Sequence, residues 1–99
     1  MEVTKTVDGS RMEIQLAGKF NAVSAPIFEK DIAEQLEGIT HIEIDMENVE
    51  YISSAGIRSL LFLQQTMDEI SGELVIKNIS MIVRKVFEVT GIPGIITVK

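Results

Sequence analysis

Cysteine is absent from this chain, so neither a disulfide framework nor thiol chemistry is open to it. Histidine occurs once, as His41, which removes most metal constellations and every Ser-His catalytic pair except one built on that residue. No apolar run approaches the ~20 residues that span a bilayer. Glu2, Thr4 and Lys5 also break up the N-terminal segment where a signal peptide would carry its apolar stretch. Clustered Lys and Arg are missing as well. The 9 basic residues face 15 scattered acidic ones, for a net charge of −6. Nucleic acid and anionic membranes both reward basic patches, so neither is an expected partner. The expectation is a cytoplasmic protein with no membrane insertion.

What is present suits one folded domain over residues 1–99. A chain that is 45% hydrophobic and 24% charged is too apolar for disorder and long enough for a single core. Val3 to Val7 and Met12 to Leu16 alternate apolar and polar residues, the period of half-buried strands. Asp8-Gly9 between them predicts a hairpin turn, and Gly18 is expected to end the second strand. A helix follows from about Ser24, its N-cap, to Leu36, with Ile27, Phe28, Ile32 and Leu36 on its apolar face. His41 to Met46 reads as a strand.

A second helix is predicted from about Ser54 to Ile70, where Ile57, Leu60, Leu61 and Met67 keep helical spacing while Phe62 and Leu63 widen the apolar surface. Phe28, Phe62 and Phe87 are expected to fill the core. Glu73 to Lys77 forms a strand, and Ser80 caps a third helix carrying Ile82, Val83, Val86, Phe87 and Thr90, closed by Gly91 and Pro93. Ile95 to Val98 adds a short final strand. The order β-β-α-β-α-β-α(-β) defines an α/β domain with a mixed sheet, opened by a β-hairpin, with the helices mainly on one face.

The richest segment is Val49-Glu50-Tyr51-Ile52-Ser53-Ser54-Ala55-Gly56-Ile57-Arg58, which ends a strand and starts a helix. Two hydroxyls thus meet the unpaired N–H groups and positive dipole end of a helix. A serine cap worth ~1 kcal/mol explains one of them. It does not explain two serines followed by Ala-Gly, which leave the helix start open to an approaching partner. The segment is not a nucleophile elbow: the residues two before and two after Ser54 are Ile52 and Gly56, so the first glycine is missing. Nor is it a P-loop, since the spaced glycines and the lysine are absent. Asp45, Glu47, Asn48 and Glu50 match no calcium loop and read as a solvated acidic rim. No enzyme, metal or cofactor is expected.

Ile42-Glu43-Ile44-Asp45 followed by Val49 to Ile57 resembles the signature strand, loop and helix start of the STAS family, specifically the bacterial anti-sigma factor antagonists. Ala17-Gly18-Lys19-Phe20-Asn21 resembles that family's Gly-x-Leu-Asp segment. Gly72 to Ser80, Val83 to Phe87 and Gly91-Ile92 resemble its later elements. The resemblance implies a STAS domain that docks onto an anti-sigma factor, often a serine protein kinase, and frees a sigma factor. It further implies that phosphorylation of Ser54 breaks the complex and a phosphatase restores it. Asn21, Ser53, Ser54, Ala55, Gly56, Ile57 and Arg58 are then the expected partner-binding residues. Two family aspartates are replaced here, by Ser53 and Asn21, which leaves Ser53 as an alternative site of modification. A STAS subunit of a lipid-transport or other regulatory assembly, without phosphorylation, is the competing reading.

Overall fold

A computed structural model describes residues 1–99. Strands β1 (Glu2–Asp8) and β2 (Arg11–Phe20) form the opening antiparallel hairpin. Asp8 pairs with Arg11, so the turn is centred on Gly9-Ser10, one residue later than Asp8-Gly9, and Gly9 alone takes positive φ, +63°. Strand β3 (His41–Ile52), β4 (Glu73–Lys77) and β5 (Thr97–Val98) follow in parallel, giving a five-stranded mixed sheet in the order β1-β2-β3-β4-β5.

Period-two alternation places the apolar residues of neighbouring strands in register on one face. Met12 lies beside Ile42 and Ile42 beside Leu74; Ile14, Ile44 and Ile76 repeat the pattern. All six are buried, and helices α1 (Ser24–Ala33), α2 (Ser54–Glu69) and α3 (Met81–Thr90) pack over them. The element order and the one-sided helix layer agree with the pattern read from the sequence.

Several details differ. Gly18 lies within β2, at φ +102°, and does not end it. Two register shifts there let Ala17–Phe20 go on pairing with Asn48–Ile52. β3 therefore runs six residues beyond Met46, through an exposed Glu47-Asn48 where the alternation breaks. α1 stops at Ala33, short of Leu36, and its cap is Asn21, whose Oδ1 accepts from the N–H groups of Val23 (3.0 Å) and Ser24 (3.1 Å). The Ser24 hydroxyl is buried and donates to the Lys19 carbonyl at 2.8 Å.

Ile27, Phe62 and Ile82, which the helical pattern assigns to the core, are 65%, 59% and 59% exposed. A helix on one face of a sheet buries only a stripe, and Ala25, Phe28 and Ile32, then Ile57, Leu60, Leu63 and Met67, then Val83 and Phe87 already occupy it. Thr90 likewise faces water, its hydroxyl bonded to the Val86 carbonyl. Ser80 does cap α3, accepting from the Val83 N–H at 3.2 Å. The last strand is only Thr97–Val98, because Ile92–Gly94 forms a 3₁₀ turn first.

The other face of the sheet carries no helix and is charged. Glu43 is central there, accepting from Arg11 at 2.6 Å and Lys77 at 2.7 Å. The Lys77 hydrogen bond holds the Glu43 carboxyl below its ordinary pKa, although partial burial pushes the other way. The same bond raises Lys77. A lowered carboxylate contributes stability that is present above its unfolded pKa and is lost as pH falls through the folded value. Wild type is therefore expected to exceed Glu43→Gln in urea midpoint at neutral pH, with the two converging as the solution is acidified through that lowered pKa. Urea titrations across acidic pH check this, and a gap that persists into strong acid would contradict it.

Candidate functional site

The site begins where β3 gives way to α2 in a single residue. Ser53 is extended (φ −97°, ψ 176°); its N–H donates to the Phe20 carbonyl at 2.8 Å, and its own carbonyl accepts from Ile57 N–H at 3.0 Å. One residue thus closes the sheet pairing and opens the helix. The two serines are not equivalent. The Ser53 Oγ is buried and has no hydrogen-bond partner, and although it holds the N-cap position it makes no capping bond. Ser54, the first helical residue, is exposed. Its hydroxyl is the one presented to solvent, beside N–H groups that no side chain caps.

Gly56 explains how α2 can start so close to the sheet. A Cβ at this position would lie 2.8 Å from Ile52 Cγ1, 2.8 Å from the Phe20 carbonyl oxygen and 3.0 Å from the Phe20 ring. Gly56 and Ile57 are buried, so of the expected partner-binding residues these two support the surface from beneath and do not face a partner. Ala55 is half-buried and Arg58 exposed. Asn21 spends its side-chain oxygen on the α1 cap. That cap needs an acceptor and no charge, which an amide supplies as well as a carboxylate would.

A feature not read from the sequence is the groove between α1 and α2. It starts as a cleft of about 190 Å³ where Ala22, Ala25 and Pro26 face Ala55, Arg58 and Ser59. Glu29 and Ser59 carry it on to an apolar stretch between Leu36 and the exposed Phe62. Small residues on both helices keep it open. The signal was present in Leu61-Phe62-Leu63, since three consecutive apolar residues cannot all face one side of a helix.

Other candidates fall away. A depression of about 100 Å³ on the polar sheet face contains Glu13, Glu43 and Asp45. Those carboxylates are already engaged by Arg11, Lys77 and Asn78. No three His, Cys, Asp or Glu side chains come together as a metal site. His41 opens the 12-residue β3 and pairs with Glu73 at 3.2 Å. At roughly 3.3 Å of rise per residue it stands at the far end of the sheet from Ser54 and cannot act as its base. No helix is long and apolar enough to cross a membrane.

Comparison with known proteins agrees with this architecture. The STAS domain family model matches residues 2–99, and the chain belongs to that family. It is 34% identical over 84 residues to BtrV of Bordetella bronchiseptica, to which the role of anti-sigma factor antagonist has been assigned, covering 84% of this chain and 72% of BtrV. It is 29% identical over 97 residues to the anti-sigma-B factor antagonist of Listeria monocytogenes, covering 96% of this chain and 84% of that protein. Among solved structures, the anti-sigma factor antagonist SpoIIAA in its unphosphorylated form superimposes with a TM-score of 0.86 at 20% identity, over 99% of this chain and 88% of that one. Its phosphorylated form from Bacillus gives 0.78 at 19% identity, over 99% and 91%. The structural matches carry the fold; within the STAS family the sequence relatives are anti-sigma factor antagonists, which are non-enzymatic regulators.

The geometry at Gly56 makes a quantitative prediction. Alanine in place of a helical glycine gains up to about 1 kcal/mol of propensity. Overpacking against a backbone carbonyl and a buried ring costs about 1–3 kcal/mol, and a contact this tight to backbone puts the cost at the upper end. Gly56→Ala is expected to destabilise the domain by about 1–2 kcal/mol in urea unfolding. An unchanged or stabilised variant would show that the close approach of α2 to Phe20 does not exist.

Proposed function

We propose that this chain binds a cytoplasmic anti-sigma factor that is also a serine kinase, releases the sigma factor held by it, and is switched off by phosphorylation of Ser54. The observation that carries the reading is the split between the two serines. Ser54 offers an exposed hydroxyl on the first turn of α2, one residue before Ala55, which lines the α1–α2 groove, while the Ser53 oxygen is buried. That split favours Ser54 over Ser53 as the acceptor of the phosphoryl group. In the relatives named above the same family supplies antagonists of anti-sigma factors, which supports the partner class.

The physical effect of the modification lies on binding, not folding. A phosphoserine adds roughly −1.5 to −2 charges at neutral pH. A partner surface fitted to a hydroxyl then meets bulk and a charge it must desolvate. At a helix N-terminus that charge is tolerated by the domain itself and returns at most ~2 kcal/mol. A phosphatase would reset the surface without refolding anything.

Incubation with the cognate kinase and ATP, followed by mass spectrometry, is expected to place the phosphate on Ser54. Ser54→Ala should remain unmodified and keep its partner. Ser54→Asp should bind the partner at least about tenfold more weakly, while its unfolding free energy in urea stays within about 0.5 kcal/mol of wild type. Phosphate on another residue, or full affinity in Ser54→Asp, would contradict the switch.

A further inference from the structure

We propose that Arg58 receives the phosphate of Ser54 in cis, so that one modification changes the docking face at two points; the inference rests on Ser54 being the modified residue. Arg58 follows Ser54 by four residues on α2, the spacing that makes side chains neighbours at about 5–6 Å between Cβ atoms. Helical side chains lean toward the N-terminus, which aims the guanidinium at the preceding turn. Arg58 is exposed and enters no ion pair, whereas Lys5, Arg11 and Lys77 are each held by a carboxylate. It is also the sole basic residue of α2. Glu29 lines the same cleft from α1 and does not approach Arg58 within ion-pair distance. A guanidinium stays charged at every relevant pH and grips phosphate through two parallel N–H bonds.

The consequence follows from where Arg58 now stands. It borders the cleft beside Ala22, Pro26 and Glu29, at the mouth of the groove. Glu29 offers one negative charge from a neighbouring helix; the phosphate offers nearly two on the same helix face. Once phosphorylated, α2 draws the guanidinium toward its own first turn. The groove mouth then loses its cation as Ser54 gains an anion.

The test needs neither kinase nor partner, so its outcome is separate from whether the switch operates in the cell. Phosphoserine is incorporated at position 54 during synthesis of the full chain, and the second ionisation of the phosphate is followed by phosphorus NMR. Arg58→Gln is expected to raise the proton affinity of the phosphate about threefold over wild type, and the difference should shrink in 1 M salt, where the screening length is ~3 Å. Lys30→Gln removes an equal charge from α1 away from the groove, and is expected to titrate as wild type. Lys19 on β2 and Glu50 on β3, both exposed at this end of the sheet, stay unchanged in every variant. Wild-type and Arg58→Gln phosphates titrating together, or an equal displacement by Lys30→Gln, would overturn the assignment.

Discussion

The carbonyl of Phe20 receives the Ser53 N–H at 2.8 Å and stands 2.8 Å from where a side chain at Gly56 would begin. One oxygen thereby ends the β2–β3 pairing and sets how closely α2 approaches the sheet. The ring of the same residue meets Phe28 of α1 edge-on, with centroids 5.0 Å apart. Both helices that border the groove are therefore positioned from Phe20, a fully buried residue at the end of β2, an interior strand. Bulk at Gly56, or loss of the ring, would move the groove and the exposed hydroxyl together.

This arrangement separates support from display. Ile52, Gly56 and Ile57 lie below the surface, under the helix start. Ser54 and Arg58 lie above it, with Phe62 further along the same helix. Charge added at Ser54 falls on backbone N–H groups that no side chain caps, so the fold has little reason to object. Under the switch proposed above, charge at Ser54 alters what a partner meets while the core beneath it is undisturbed.

Much of the fold was legible because most strands bury one face and obey a period of two. Met12-Ile14-Leu16 and Ile42-Ile44-Met46 announce themselves, and the strand–helix alternation then dictates parallel crossovers. The alternation fails where bulges interrupt it, so the second half of β3 carries no strand pattern and Gly18 mimics a strand end. Helix existence was clear, but which apolar residues face inward was not. Ile27, Phe62 and Ile82 sit at the margins of their stripes, and only the packed neighbours decide that they face water. At the site, the pair Ser53-Ser54 was visible, yet their opposite fates depend on a contact with Phe20, more than thirty positions earlier. The groove was invisible for the same reason, being made by two helices whose small residues face each other only after folding.

Amide hydrogen exchange, resolved by residue, tests the strand-to-helix junction most directly. The Ser53 N–H, held by the Phe20 carbonyl beneath α2, is expected to exchange at least about a hundredfold more slowly than the exposed N–H of Ser54 beside it. Equal protection at the two positions would contradict a pinned Ser53 and a freely presented Ser54.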